Sequence, residues 1–172
     1  MRWIPAILLA VLQASAWSAL FAGGMAGVMG WAPIDSIVRA THEGEPDEAP
    51  GKSNNVKHPT GNFAALEMPT RTFLVLAHLQ PGSVVVKVGD SVKEGQTIGR
   101  CGNSGHTSEP HIHIHHQRQN PAMFPVNFAE GLPLFFRDLD GPAMPEGGVE
   151  KKDGQVIARG AEVRHIDSAK DN

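Results

Sequence analysis

Histidine is the residue type to follow in this chain, which has nine in 172 residues. Three of them alternate in the run His111-Ile112-His113-Ile114-His115, and another, His78, interrupts the apolar stretch Val75-Leu76-Ala77-His78-Leu79. A strand sends residues i, i+2 and i+4 to one face. The alternation therefore predicts a strand over residues 111–117, with His111, His113 and His115 on one side and Ile112 and Ile114 on the other. Imidazoles on a rigid strand are costly to bury without a partner. Metal binding and proton transfer are the two chemistries that would use them. His116 points the other way along this strand, and His106 lies in the loop before it. Each also has a plainer reading: a polar surface strand for the alternating run, a satisfied core histidine for His78, and solvated side chains for His106 and His116.

These histidines need a β framework to hold them. Residues 34–41 form a candidate first strand, and residues 43–59 a loop rich in Glu, Asp, Pro, Gly and Asn, with turn chemistry throughout. Residues 62–67 and 72–79 read as a hairpin whose second strand, apolar on both faces, belongs at the centre of a sheet. Residues 84–88 and 97–101 read as further strands around the Gly89-Asp90 and Glu94-Gly95 turns. The loop 102–110 then delivers the chain into the histidine strand. A tail hairpin is expected near residues 155–158 and 162–166, with disorder after Asp167.

The order of these motifs resembles the lysostaphin/LytM-type zinc metallopeptidases, which cut peptide bonds in bacterial peptidoglycan. The resemblance rests on Ala77-His78-Leu79, on residues 86–105 (VKVGDSVKEGQTIGRCGNSG), and on Pro110-His111-Ile112-His113. A fainter likeness extends from Trp31 to Asp140. It implies an all-β fold: an antiparallel lysostaphin-type sheet, here preceded by an N-terminal hydrophobic helix. It also implies zinc as cofactor, His113 as a metal ligand, His78 and His111 as catalytic residues, and wall peptides as substrate. The family pattern supplies two further ligands, a His and an Asp, from a motif upstream of Trp31. Here that region is LFAGGMAGVMG, without His, Asp or Glu. His115 and His106 are the candidate substitute ligands, and Asp35 and the loop residues Glu45, Asp47 and Glu48 are carboxylates that could stand in for the lost Asp. Two functions stay open: a zinc endopeptidase, impaired or truncated, and an inactive module that binds peptidoglycan or regulates another hydrolase. The 86–99 stretch is also similar to biotinyl and lipoyl carriers and to sugar-phosphotransferase IIA domains, but Lys87 and Lys93 lack a carrier lysine's setting.

Composition narrows the field. A net charge of −3 leaves no electrostatic footprint for nucleic acid. Cys101 is the only cysteine, so no internal disulfide is available, and the residue reads as a small buried apolar side chain. No charge appears between Arg2 and Asp35. One positive charge, an apolar stretch over residues 3–12 and then Ala14-Ser15-Ala16 is the layout of a secretory signal. The uncharged run is also long enough for a membrane anchor through residues 3–28, although Gly23, Gly24, Gly27 and Gly30 weaken its later half as a helix. Residues 4–22 are expected to be helical, and an exported protein of the cell envelope follows from either reading. A chain start that has lost an upstream portion is the third. The expected organisation is residues 1–30 as signal or anchor, 31–140 as a peptidase-like β core, and 141–172 as a partly disordered extension.

Overall fold

The computed structural model describes residues 4–5, 29–53, 55–124, 129–134, 136–137 and 149–158. Chain contacts divide the protein into two compact units, Met25–Leu132 and a second made of Met1–Gly24 with Pro133–Asn172. The first unit is built on a five-stranded antiparallel sheet. Its strands are β3 (Ser36–His42), β4 (Asn62–Glu67), β5 (Phe73–Leu79), β6 (Ser91–Val92) and β8 (His113–Gln117), in the order β6-β3-β4-β5-β8. A separate antiparallel pair joins β2 (Met29–Trp31) to β7 (Thr97–Arg100). The described residues are all-β, as the alternation and turn chemistry lead one to expect.

Strand β5 lies inside the sheet, between β4 and β8. All seven of its residues are buried, which is what a strand apolar on both faces requires. Leu66, Leu74, Leu76, Leu79 and Ile98 are among the largest fully buried side chains of the protein. On the other face of the sheet Ala65, Val75 and Ala77 form a small-residue cluster, with Ala40 and Phe63 packed against it. Register places His113 opposite Ala77 and His115 opposite Val75, so both histidines project from this second face.

Several boundaries differ from expectation. The histidine strand begins at His113, so His111 and Ile112 belong to the approach rather than to the ladder. Residues 84–88 form no strand: only Val85 N donates to Ile98 O, while Gly82 N and Val84 N donate to the Glu43 carboxylate and Lys87 N to Asp90. Side chains satisfy these backbone groups in place of a ladder.

In the second unit β1 (Ile4–Pro5) pairs in parallel with β9 (Phe136–Arg137), and β10 (Val149–Lys152) pairs with β11 (Gln155–Ala158). The expected helix over residues 4–22 meets the described residues only at Ile4–Pro5, which are extended; the rest lies outside them. No described helix is long and apolar enough to cross a membrane. The tail hairpin uses β11, but its partner is β10. Residues 162–166 and those after Asp167 lie outside the described residues.

Candidate active site

His78 owes its position to a distortion of β5. Ala77 faces the same side as His113, so a regular strand would turn His78 away from it. Asn62 pairs with Leu79 and Ala64 with Leu76, which leaves two residues of β5, Ala77 and His78, opposite Phe63 alone. His78 takes φ 59°, the left-handed region that few non-glycine residues occupy. This bulge re-aims the ring. Thr60 O and Gly102 N hold the distorted peptide, each through a 3.0 Å hydrogen bond to the His78 backbone. The ring then lies 4.8 Å from that of His111 and 5.7 Å from that of His113, centroid to centroid.

Two loops press on this point. A Cβ on Gly61 (φ 60°) would overlap Ser104, and one on Gly105 (φ 85°) would come within 2.6 Å of Pro59 O and closer still to Gly61 N. The His58–Asn62 and Gly102–His106 segments therefore interlock at a distance only glycine permits. Buried Ser104 fixes the junction: its Oγ donates to Leu79 O at 2.7 Å and accepts from Asn62 N at 3.0 Å.

The ring nitrogens are assigned by their partners. His78 Nδ1 lies 2.8 Å from Ser104 O, and His111 Nδ1 lies 2.8 Å from Glu109 O. A carbonyl oxygen only accepts, so both rings carry a proton on Nδ1, and in the neutral form Nε2 is the nitrogen that holds the lone pair. One ligand nitrogen from each of His78, His111 and His113 falls within 4.8 Å of the others. Burial, followed by the neighbouring His111, pushes the His78 pKa down to about 3. The same two causes lower His113 to about 4. The direction is common to both: near neutral pH these imidazoles are uncharged and free to ligate a metal ion.

Of the proposed substitutes, His115 stacks beside His113 at 6.2 Å, its pKa lowered chiefly by burial, and its Nε2 is buried without a protein partner. His106 is exposed, with its backbone N donating to Pro59 O. His116 Nε2 is 3.0 Å from Thr72 Oγ1. No carboxylate belongs to the His78–His111–His113 group among the described residues. Asp35 is engaged by Lys93 Nζ and Glu94 N, and Asp47 by Asn103 N. Cys101 is fully buried, and burial raises its thiol pKa to about 12, so it stays protonated. Sequence reasoning does not find the group His42, Glu45 and His58, whose ligand atoms also fall within 4.8 Å of one another.

The chain belongs to Peptidase family M23, whose profile matches residues 24–125, more than half of its length. Its fold is similar to that of the catalytic domain of the antimicrobial peptidase lysostaphin from Staphylococcus simulans, at 25% identity and a TM-score of 0.44, covering 62% of this chain and 68% of that one. A variant catalytic domain of the prophage-encoded M23 protein EnpA from Enterococcus faecalis is similar at 20% identity and a TM-score of 0.45. There the match covers 56% of this chain and 63% of that chain, under two thirds of its length.

Proposed function

We propose that residues 31–140 form an exported endopeptidase domain that hydrolyses amide bonds in the cross-link peptides of the bacterial cell wall. The observation that carries this reading is the convergence of three imidazoles, two of them with Nδ1 held by a backbone carbonyl. The donor set suits an ion of the zinc class, since neutral imidazoles are its natural nitrogen ligands. His113 is the residue assigned to hold it, with His115 the nearest further imidazole. Bound there, zinc would polarise the scissile carbonyl and lower the pKa of an attacking water.

The remaining chemistry belongs to the chain. In its neutral form with Nδ1 protonated, each of His78 and His111 offers Nε2 to the proton of the attacking water; His78, with a pKa of about 3, is a weak base there. Once protonated, the same nitrogen can stabilise the developing oxyanion or return the proton to the leaving amine. The Ser104 and Glu109 carbonyls keep each ring in the working tautomer. Gly- or D-Ala-containing peptides are the substrate class. The charge-free stretch from Trp3 to Ile34 supports export, to the periplasm or cell surface.

A second reading, a wall-binding module without turnover, is favoured by one observation: the imidazole group has no carboxylate among the described residues. Turnover separates the two. Purified protein incubated with cross-linked peptidoglycan should release new amino termini in a chelator-sensitive manner. His111→Ala should keep bound metal while losing about 10²–10⁴-fold in rate, the usual worth of a general base. Binding of wall fragments without new termini, in wild type and variant alike, would favour the module.

A further inference from the structure

We propose that His42, Glu45 and His58 form a second binding site for a divalent ion of the zinc class, separate from the histidines at the end of β5. Two of the three are near neighbours in the chain, and the third joins them from the far end of the loop. His42 ends β3, Glu45 opens the following loop, and His58 closes it. Their ligand atoms lie within 4.8 Å of one another. Glu45 Oε1 stands 3.0 Å from His42 Nε2 and 3.8 Å from His58 Nε2.

Those two separations bracket the spacing an ion would impose. Ligand atoms about 2.0–2.1 Å from a tetrahedral zinc are about 3.3 Å from each other. The His42–Glu45 contact is an ordinary hydrogen bond without metal, but it leaves His58 Nε2 outside hydrogen-bond distance of the same oxygen. One ion would satisfy all three groups. The donor set, two imidazoles and one carboxylate with a fourth position open to solvent, is one that zinc takes readily.

The groups around the site hold the ligands in place, as the surroundings of a metal site must. Asn55 Nδ2 donates to Glu45 Oε2 at 2.7 Å, so the other carboxylate oxygen is the one turned to the rings. Asn55 Oδ1 accepts from His58 N at 3.0 Å. Buried Asn62 clamps the Glu45 backbone in both directions, accepting from its N at 2.9 Å and donating to its O at 2.8 Å. The His42 and His58 rings stack at 5.1 Å and 16°, and Phe63 stacks on His42 at 6.0 Å. Stacking aligns both imidazoles toward one oxygen at little cost in side-chain freedom.

The consequence is mechanical. An ion here would close the loop between β3 and β4 through its two ends. His58 opens the segment that interlocks with Gly105 and supplies Thr60 O to the distorted His78 peptide. The ion would thus brace the loop beside His78 without touching substrate.

The test is zinc titration of the full chain, followed by calorimetry and by metal analysis after gel filtration. The background is His111→Ala/His113→Ala, which disables the imidazole group at β5. One zinc equivalent should remain in that background. It should be lost on adding His42→Asn/His58→Asn, substitutions chosen to keep polar side chains, and weakened more than about tenfold by Glu45→Gln. Circular dichroism checks that each variant is folded. In the wild-type background His58→Asn should lower the stoichiometry by one equivalent, while His106→Ala should not. A background variant that binds no zinc, or zinc that survives His42→Asn/His58→Asn, overturns the proposal. Neither result bears on whether His78, His111 and His113 support hydrolysis, which is read from released termini.

Discussion

His78 shows how much one residue depends on its strand's irregularity. Its type and apolar setting are plain in the sequence, but its direction is not. Strict alternation points it away from His113, and the bulge opposite Phe63 that reverses this depends on pairing with β4. His111, by contrast, reads as part of the strand and lies before it, yet its ring still reaches the group through the Glu109 turn. The positive φ of His78 gives a stability prediction. Asn tolerates the left-handed region and β-branched residues do not, so His78→Val should cost about 1–3 kcal/mol more than His78→Asn in urea unfolding. Acid gives another. The pKa of the His78 imidazole falls from its ordinary value of 6.5 to about 3 in the fold. Between these values the unfolded chain binds a proton that the folded chain does not, so stability falls as pH drops through that window. The urea midpoint should decline from pH 7 to pH 4, and less steeply in His78→Asn. Identical slopes would contradict the burial assigned to this ring.

At the scale of elements, the hairpin of β4 and β5 and the course of β7 are readable because their apolar and glycine patterns are local. Residues 84–88 are not. They are as rich in valine as a strand, but Val85 and Val88 are 66% and 62% exposed, and Glu43 takes the backbone donors that a neighbouring strand would have used. The interlock of Gly61 and Gly105 is hidden for a similar reason: two loops about 40 residues apart announce turns, not each other. It predicts a contrast between two glycines with similar φ. Around Gly82 (φ 68°) the space a Cβ would enter is empty to 4 Å, so Gly82→Ala should cost about 1–2 kcal/mol for the backbone alone. Gly105→Ala adds a clash with Pro59 and Gly61 and should cost about 1–3 kcal/mol beyond that. Because Ser104 lies next to it, Gly105→Ala should also lower peptidase rate, whereas Gly82→Ala should not. Equal losses of stability in the two would show that the loops are not tightly interlocked.

For the whole molecule, composition points to a turn-rich β protein without a nucleic-acid surface, and the described residues are all-β. The tail hairpin is half legible. Asp153-Gly154 is a strong two-residue turn signal, and both residues have positive φ (52° and 79°), as the tight hairpin turn requires. That signal places the partner strand before the turn, at Val149–Lys152, rather than after Ala158. Metal should be felt globally, because an ion that binds the fold and not the unfolded chain stabilises it by mass action. Zinc at about 100 times its dissociation constant should add about 2.7 kcal/mol per site, read as a shift in the unfolding midpoint. The most direct test of function pairs metal content with turnover in the full chain. Wild type and His113→Ala, each also carrying His42→Asn/His58→Asn to remove the second cluster, should be assayed on purified peptidoglycan with and without chelator. The account predicts one bound zinc and chelator-sensitive release of new amino termini in the first protein, and neither in the second. Zinc content and cleavage that are unchanged by His113→Ala would contradict it.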